Sequence, residues 1–135
     1  MNEKDIRWKQ RFENFEKAYI FFESAVEKES YTPIEIGGLV QAFEFTFELG
    51  WKTVKDYLEE QGVVTRFPRE AIKEGFNTQI IEDGHSWLHM LEKRNELSHT
   101  YNENVARKAV DIIKNRYYPA IRQVYQYFKG KKYGS

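Results

Sequence analysis

The sequence predicts an all-α fold, an antiparallel four-helix bundle with one additional short helix. Three observations carry this. Apolar residues recur at intervals of three and four, while the β-branched alternation of strands is nearly absent. Only three prolines interrupt 135 residues, and the eight glycines fall mostly at segment ends. The segments between the periodic stretches are short, as expected for antiparallel neighbours in one domain spanning residues 1–135.

The first helix is expected from about Glu3 to Lys28, where Trp8, Phe12, Phe15, Tyr19, Phe22 and Val26 keep helical spacing. The second begins at Thr32-Pro33, an N-cap followed by proline in the first turn, and stops at Gly62. Phe43, Phe47, Trp51, Val54 and Leu58 form its stripe, and Leu39, Phe45 and Leu49 widen it. A helix apolar nearly all round belongs at the centre of a bundle or at a dimer seam. Glu48–Lys52 and Lys55–Glu59 are spaced as i,i+4 ion pairs on its wetter side. A short helix starts at Pro68. Asp83 or Ser86 caps a fourth, reaching about Glu96, and Asn102 caps a fifth that runs to Phe128 with Gly130 just beyond.

Composition narrows the function classes. Ten Phe, nine Tyr and three Trp are more aromatics than a core of this size needs, which favours an oligomer or a partner. There is no cysteine, so disulfides and thiolate metal sites are excluded. No apolar run is long enough for a membrane span, and the charged N-terminus does not read as a signal peptide, so a soluble cytoplasmic protein is expected. The formal net charge is zero but uneven: eight Lys/Arg and two Asp/Glu follow Asn102, against thirteen and nineteen before it. Such asymmetry points to a polyanion or a complementary protein, or simply to a solvated helix face.

The stretch KRNELSHTY, Lys93 to Tyr101, holds the densest chemistry. At about 100° per residue, Trp87, Leu91 and Arg94 share an arc of roughly 60°. Arg94 therefore continues an apolar stripe and must find a partner, snorkel to water or face a second subunit. His99 diverges from Arg94 by roughly 140° unless the helix breaks. Histidine is the usual acid/base near neutral pH, and an arginine that keeps its proton suits a phosphate or developing oxyanion. Together they suffice for metal-free attack of an RNA 2′-OH on its own phosphate, with Tyr101 adding a hydroxyl and a stacking face. The alternative is that Arg94 and His99 merely tie down the helix end.

Other candidates are weaker. His85 and His89, with Glu82 and Glu92, share a helix face at metal-ligand spacing, but an exposed polar face explains them as well. Gly37-Gly38 lacks the Lys and Ser/Thr of a phosphate loop, which argues against a nucleotidyltransferase acting alone. On the fifth helix, Val105, Ala109, Ile112, Ala120, Val124 and Phe128 are expected to point inward. Arg107, Lys114, Arg122 and Lys129 lie within roughly 80° on the other side, a basic stripe for a nucleic-acid backbone or an acidic partner.

Three segments in order, QAFEFTFELGWKTVKDYLEEQG (Gln41–Gly62), FPREAIKEGF (Phe67–Phe76) and WLHMLEKRNELSHTYNE (Trp87–Glu103), resemble the nucleotidyltransferase substrate-binding protein family, a branch of the HEPN superfamily. The resemblance extends from about Trp8 to Phe128. It implies a HEPN bundle that forms a homodimer around its Arg-x4-His helices, with the pair at Arg94 and His99 and the supporting polar position at Asn95. HEPN ribonucleases cleave RNA without metal, so neither a metal nor a cofactor is expected. In the related HepT toxins the motif extends to Arg-x4-His-x-Tyr, here Arg94, His99 and Tyr101, and a partner nucleotidyltransferase acts as antitoxin by adenylylating the tyrosine. The family's name implies an alternative: a non-catalytic subunit that presents substrate to a nucleotidyltransferase.

Overall fold

The computed structural model describes residues 3–97 and 103–134. They form an all-helical bundle: α1 (Glu3–Val26), α2 (Pro33–Glu60), α3 (Pro68–Asn77), α4 (Gly84–Lys93), α5 (Glu103–Ile112), a π-helical turn (Ile113–Tyr117) and α6 (Tyr118–Lys132). Asn102, the expected cap of the fifth helix, lies outside the described residues.

The two long helices follow the sequence pattern closely. All six stripe residues of α1 are buried. α2 opens with a capping box: Glu35 N–H donates to Thr32 Oγ1, and Thr32 N–H donates back to the Glu35 carboxylate. That carboxyl also receives Lys28, whose bond is the largest cause holding its pKa down at about 2. α2 closes at Gly62, whose φ of 90° admits a Schellman turn: Val63 N–H reaches Leu58 C=O and Gly62 N–H reaches Glu59 C=O.

α1 runs antiparallel to α2. Trp8 meets Tyr57 at one end and Phe22 meets Phe43 at the other. Asp56, buried on α2, is neutralised by Arg11 at 3.0 Å, without which its charge would be very costly there. α6 lies antiparallel to α1 through rings, Tyr19 stacking on Tyr125 at 4.1 Å and Phe12 beside Phe128. The surplus of aromatics thus fills this seam, although Phe21, Phe45, Phe67 and Phe76 remain exposed.

Two expectations about the helices are corrected, and of the two caps expected for the fourth helix one is found. The fourth helix stops at Lys93 rather than near Glu96, because Lys93 C=O accepts from both Glu96 and Leu97 N–H in a tight turn. Asp83, not Ser86, is its cap, with Oδ1 accepting from Ser86 N–H at 3.0 Å. The fifth helix does not run uniformly. Pro119 has no N–H and its ring crowds the carbonyl four residues back, and the chain takes a π-turn immediately before it. Helical structure then continues through Gly130 to Lys132. Val105, expected inside, is exposed, and Ile112 is only half-buried.

The expected i,i+4 pairs on α2 are also replaced. Glu59 binds Arg7 of α1, and Glu48 binds Arg94 of α4. Arg94, packed on the Phe47 ring, loses less side-chain entropy in its pair than two flexible chains on one exposed face. Among the described residues no helix is long and apolar enough to cross a membrane.

Candidate functional site

Arg94 ends α4, its N–H bonded to Met90 C=O. Two turns upstream on the stripe, Trp87 is sealed in the core against Phe47, with its indole N–H donating to Ala120 C=O at 3.3 Å. This anchoring aims the last turn of α4 at α2. The Arg94 guanidinium pairs with Glu48 and lies 5.9 Å from the centre of the Phe47 ring. Within the chain, the arginine on the apolar stripe takes a partner on α2. The side chain stays 26% exposed.

Glu48 is held on both sides. One oxygen takes Arg94 and the other accepts from Trp51 Nε1 at 3.0 Å. One turn earlier on α2, Glu44 is half-buried, and its Oε1 is sealed from water with no hydrogen-bond partner among the described residues. Burial first, then the neighbouring Glu48 charge, raises the Glu44 carboxyl above its usual range. Sequence reading missed both acids, because it assigned Glu48 to Lys52. The apolar arc of Trp87, Leu91 and Arg94 gave the direction of the guanidinium, but nothing in it named an acid on α2 as the partner.

Asn95 and Leu97 lie in the turn that follows Arg94. His99 and Tyr101 lie outside the described residues. The basic stripe of the last helix is not continuous, because the π-turn upsets a count of 100° per residue between Lys114 and Arg122. Arg107 pairs with Glu103 at 2.7 Å, and Lys114 donates to Lys28 C=O and covers the Tyr31 ring. Arg122 is exposed beyond the turn, beside Tyr118 and Gln126.

A second polar cluster joins α4 to the π-turn. His89 Nδ1 lies 2.6 Å from the buried Tyr117 hydroxyl, and Arg116 Nε donates to Ser86 Oγ at 3.0 Å. The expected exposed polar face is therefore corrected at His89, which is half-buried and engaged with the core; His85 is exposed. Burial, followed by the charges of Arg116 and Lys93, lowers the His89 pKa, against a smaller opposing pull from Glu92 and Glu96.

Comparison with known proteins gives a consistent result. A family model described as nucleotidyltransferase substrate binding protein like matches residues 10–129. The probable ribonuclease HepT of Haemophilus influenzae is 30% identical over 76 residues, covering 53% of this chain and 52% of that protein. The chain thus spans about half the length of this curated relative. A crystal structure of a Thermus thermophilus protein superposes with a TM-score of 0.74 at 30% identity, covering 82% of this chain and 94% of that one. With the model spanning most of the chain, and the segments around Trp51, Phe67 and Arg94 falling inside it, the chain belongs to the nucleotidyltransferase substrate-binding protein family.

Proposed function

We propose that this chain is a HEPN-type toxin, a metal-independent endoribonuclease controlled by a partner nucleotidyltransferase that serves as its antitoxin. The observation that supports this best is the setting of Arg94: a partly exposed guanidinium fixed at a helix end by Phe47 and Glu48, immediately before the motif turn. The ribonuclease HepT relative supports the reaction class.

In this reading two copies of the chain meet around their α4 ends, so that Arg94 and His99 of both line one cleft. His99 accepts the 2′-OH proton as the 2′-oxygen attacks the adjacent phosphorus. Arg94 stabilises the extra negative charge of the phosphorane. The P–O5′ bond breaks, the 5′-oxygen takes a proton from the second copy's histidine, and a 2′,3′-cyclic phosphate remains. Asn95 supports the turn, Tyr101 is the residue the antitoxin modifies, and Arg107, Lys114 and Arg122 contact RNA or the partner. The reaction needs no metal or cofactor, and the protein works in the cytoplasm.

The test is incubation of the purified chain, free of its partner, with RNA in EDTA. Wild type should cleave and His99→Ala should not. Absence of cleavage by the wild type, or equal cleavage by the variant, overturns the catalytic reading. A second reading is favoured by the family's description as substrate binding: a non-catalytic subunit that holds substrate for a nucleotidyltransferase. It predicts a stable complex with that enzyme and no cleavage under the same conditions.

A further inference from the structure

Glu44 has no role in the proposed reaction, yet its position is unusual. It stands one helical turn before Glu48 on α2, and residues four apart on a helix are neighbours. Glu48 is fully engaged by Arg94 and Trp51. Glu44 has a carboxyl oxygen shut off from water and from any donor among the described residues. A carboxylate in such a place needs either a hydrogen-bond donor or a proton. Among the described residues, the charge that raises it is Glu48 of its own helix, whose own partner Arg94 comes from the end of α4.

We infer that Glu44 is the proton-carrying member of the anion site at Arg94: a phosphodiester that draws Arg94 from Glu48 is bound together with one proton, held on Glu44. This rests on the reading that Arg94 engages RNA phosphate. In the free protein one guanidinium balances Glu48, and Glu44 is its uncompensated neighbour. A phosphate at Arg94 brings a further negative charge beside both acids, and one guanidinium cannot balance three anions at close range. The carboxyl already disfavoured as an anion, by burial and by Glu48, takes up a proton. Binding then strengthens as pH falls, over a window that opens below Glu44's pKa in the complex and closes at its lower pKa in the free protein. Within that window affinity changes by up to about tenfold per pH unit, one proton being taken up per phosphate bound.

The experiment is equilibrium binding of a short fluorescent RNA to the full-length His99→Ala protein between pH 5 and 8, by anisotropy. Calorimetry in two buffers of different ionisation enthalpy counts the protons taken up. Wild type at Glu44 should tighten toward low pH with uptake of up to one proton. Glu44→Gln should show a shallower profile with correspondingly fewer protons taken up, and Glu44→Leu should do the same. Circular dichroism checks that both variants fold, and either one suffices. If Glu44→Gln keeps the full pH slope and proton count, the inference is overturned while the Arg94 site stands. If Arg94→Ala binds as tightly as its parent at every pH, the site reading falls and this inference with it.

Discussion

The indole of Trp51 donates to the carboxylate of Glu48 at 3.0 Å, which leaves the other oxygen of Glu48 to hold Arg94. A tryptophan packed into α2 thus sets where the guanidinium on α4 sits. The arrangement separates the two readings of Arg94. A helix-end tie would make it a stability residue, whereas a phosphate ligand would make it an activity residue.

Arg94→Ala should reduce RNA cleavage by about 10²-fold or more, the usual loss when one oxyanion donor is removed. Its effect on unfolding free energy should stay near 1 kcal/mol, because the ion pair is partly exposed and such pairs contribute little. Urea denaturation alongside a gel cleavage assay measures both. A large loss of stability with unchanged cleavage would return Arg94 to a structural role.

Two glycines of α2 should respond in opposite directions to alanine. A Cβ on Gly50 would stand 2.9 Å from the Trp87 ring and 3.2 Å from Phe15, both confined by the core. Gly50→Ala should therefore cost about 1–3 kcal/mol through overpacking. At Gly38 a Cβ meets nothing within 4 Å, and the helix backbone is ordinary. Gly38→Ala should gain up to about 1 kcal/mol from helix propensity. Thermal melts of the two variants give the comparison directly.

His89 should make the fold sensitive to mild acid. Its folded pKa lies below the usual 6.5, because burial and the nearby Arg116 and Lys93 oppose its charge. Between the folded and unfolded values the unfolded chain binds more protons, so stability rises with pH and is lost as pH falls below about 6.5. His89→Gln can still bond Tyr117 but cannot titrate. The unfolding free energy of wild type should fall more between pH 7.5 and 5.5 than that of the variant, as followed by urea titrations at each pH.

Much of this fold was legible because its cues are local. The α1 stripe from Trp8 to Val26, the Thr32-Pro33 start and the Gly62 stop each follow from spacing or from one residue's backbone preference. The α4 stop was not, because no glycine or proline marks it and Lys93 C=O closes its own turn. Pro119 was the available signal for the break in the last helix, and a uniform 100° count passes over it. In the candidate site, the direction of Arg94 was readable from Trp87 and Leu91, but its partner was not. Nothing local distinguishes Lys52 from Arg94 as the mate of Glu48. The choice is made by the Trp87 anchor, which brings two distant helices together.

The π-turn at Ile113–Tyr117 also acts as a firebreak. On one side α5 buries only Ala106 and Ala109, and on the other α6 is pinned by Ile121, Val124, Tyr125 and Phe128. Opening of α5 therefore costs little and stops where the wide turn begins, rather than unzipping the C-terminal helix. Amide exchange should be fast across Glu103–Ile112 and slow from Ile121 to Phe128. The segment that follows the motif would then be a small detachable unit, loosened or clamped by whatever grips α5, while the rest of the bundle stays shut.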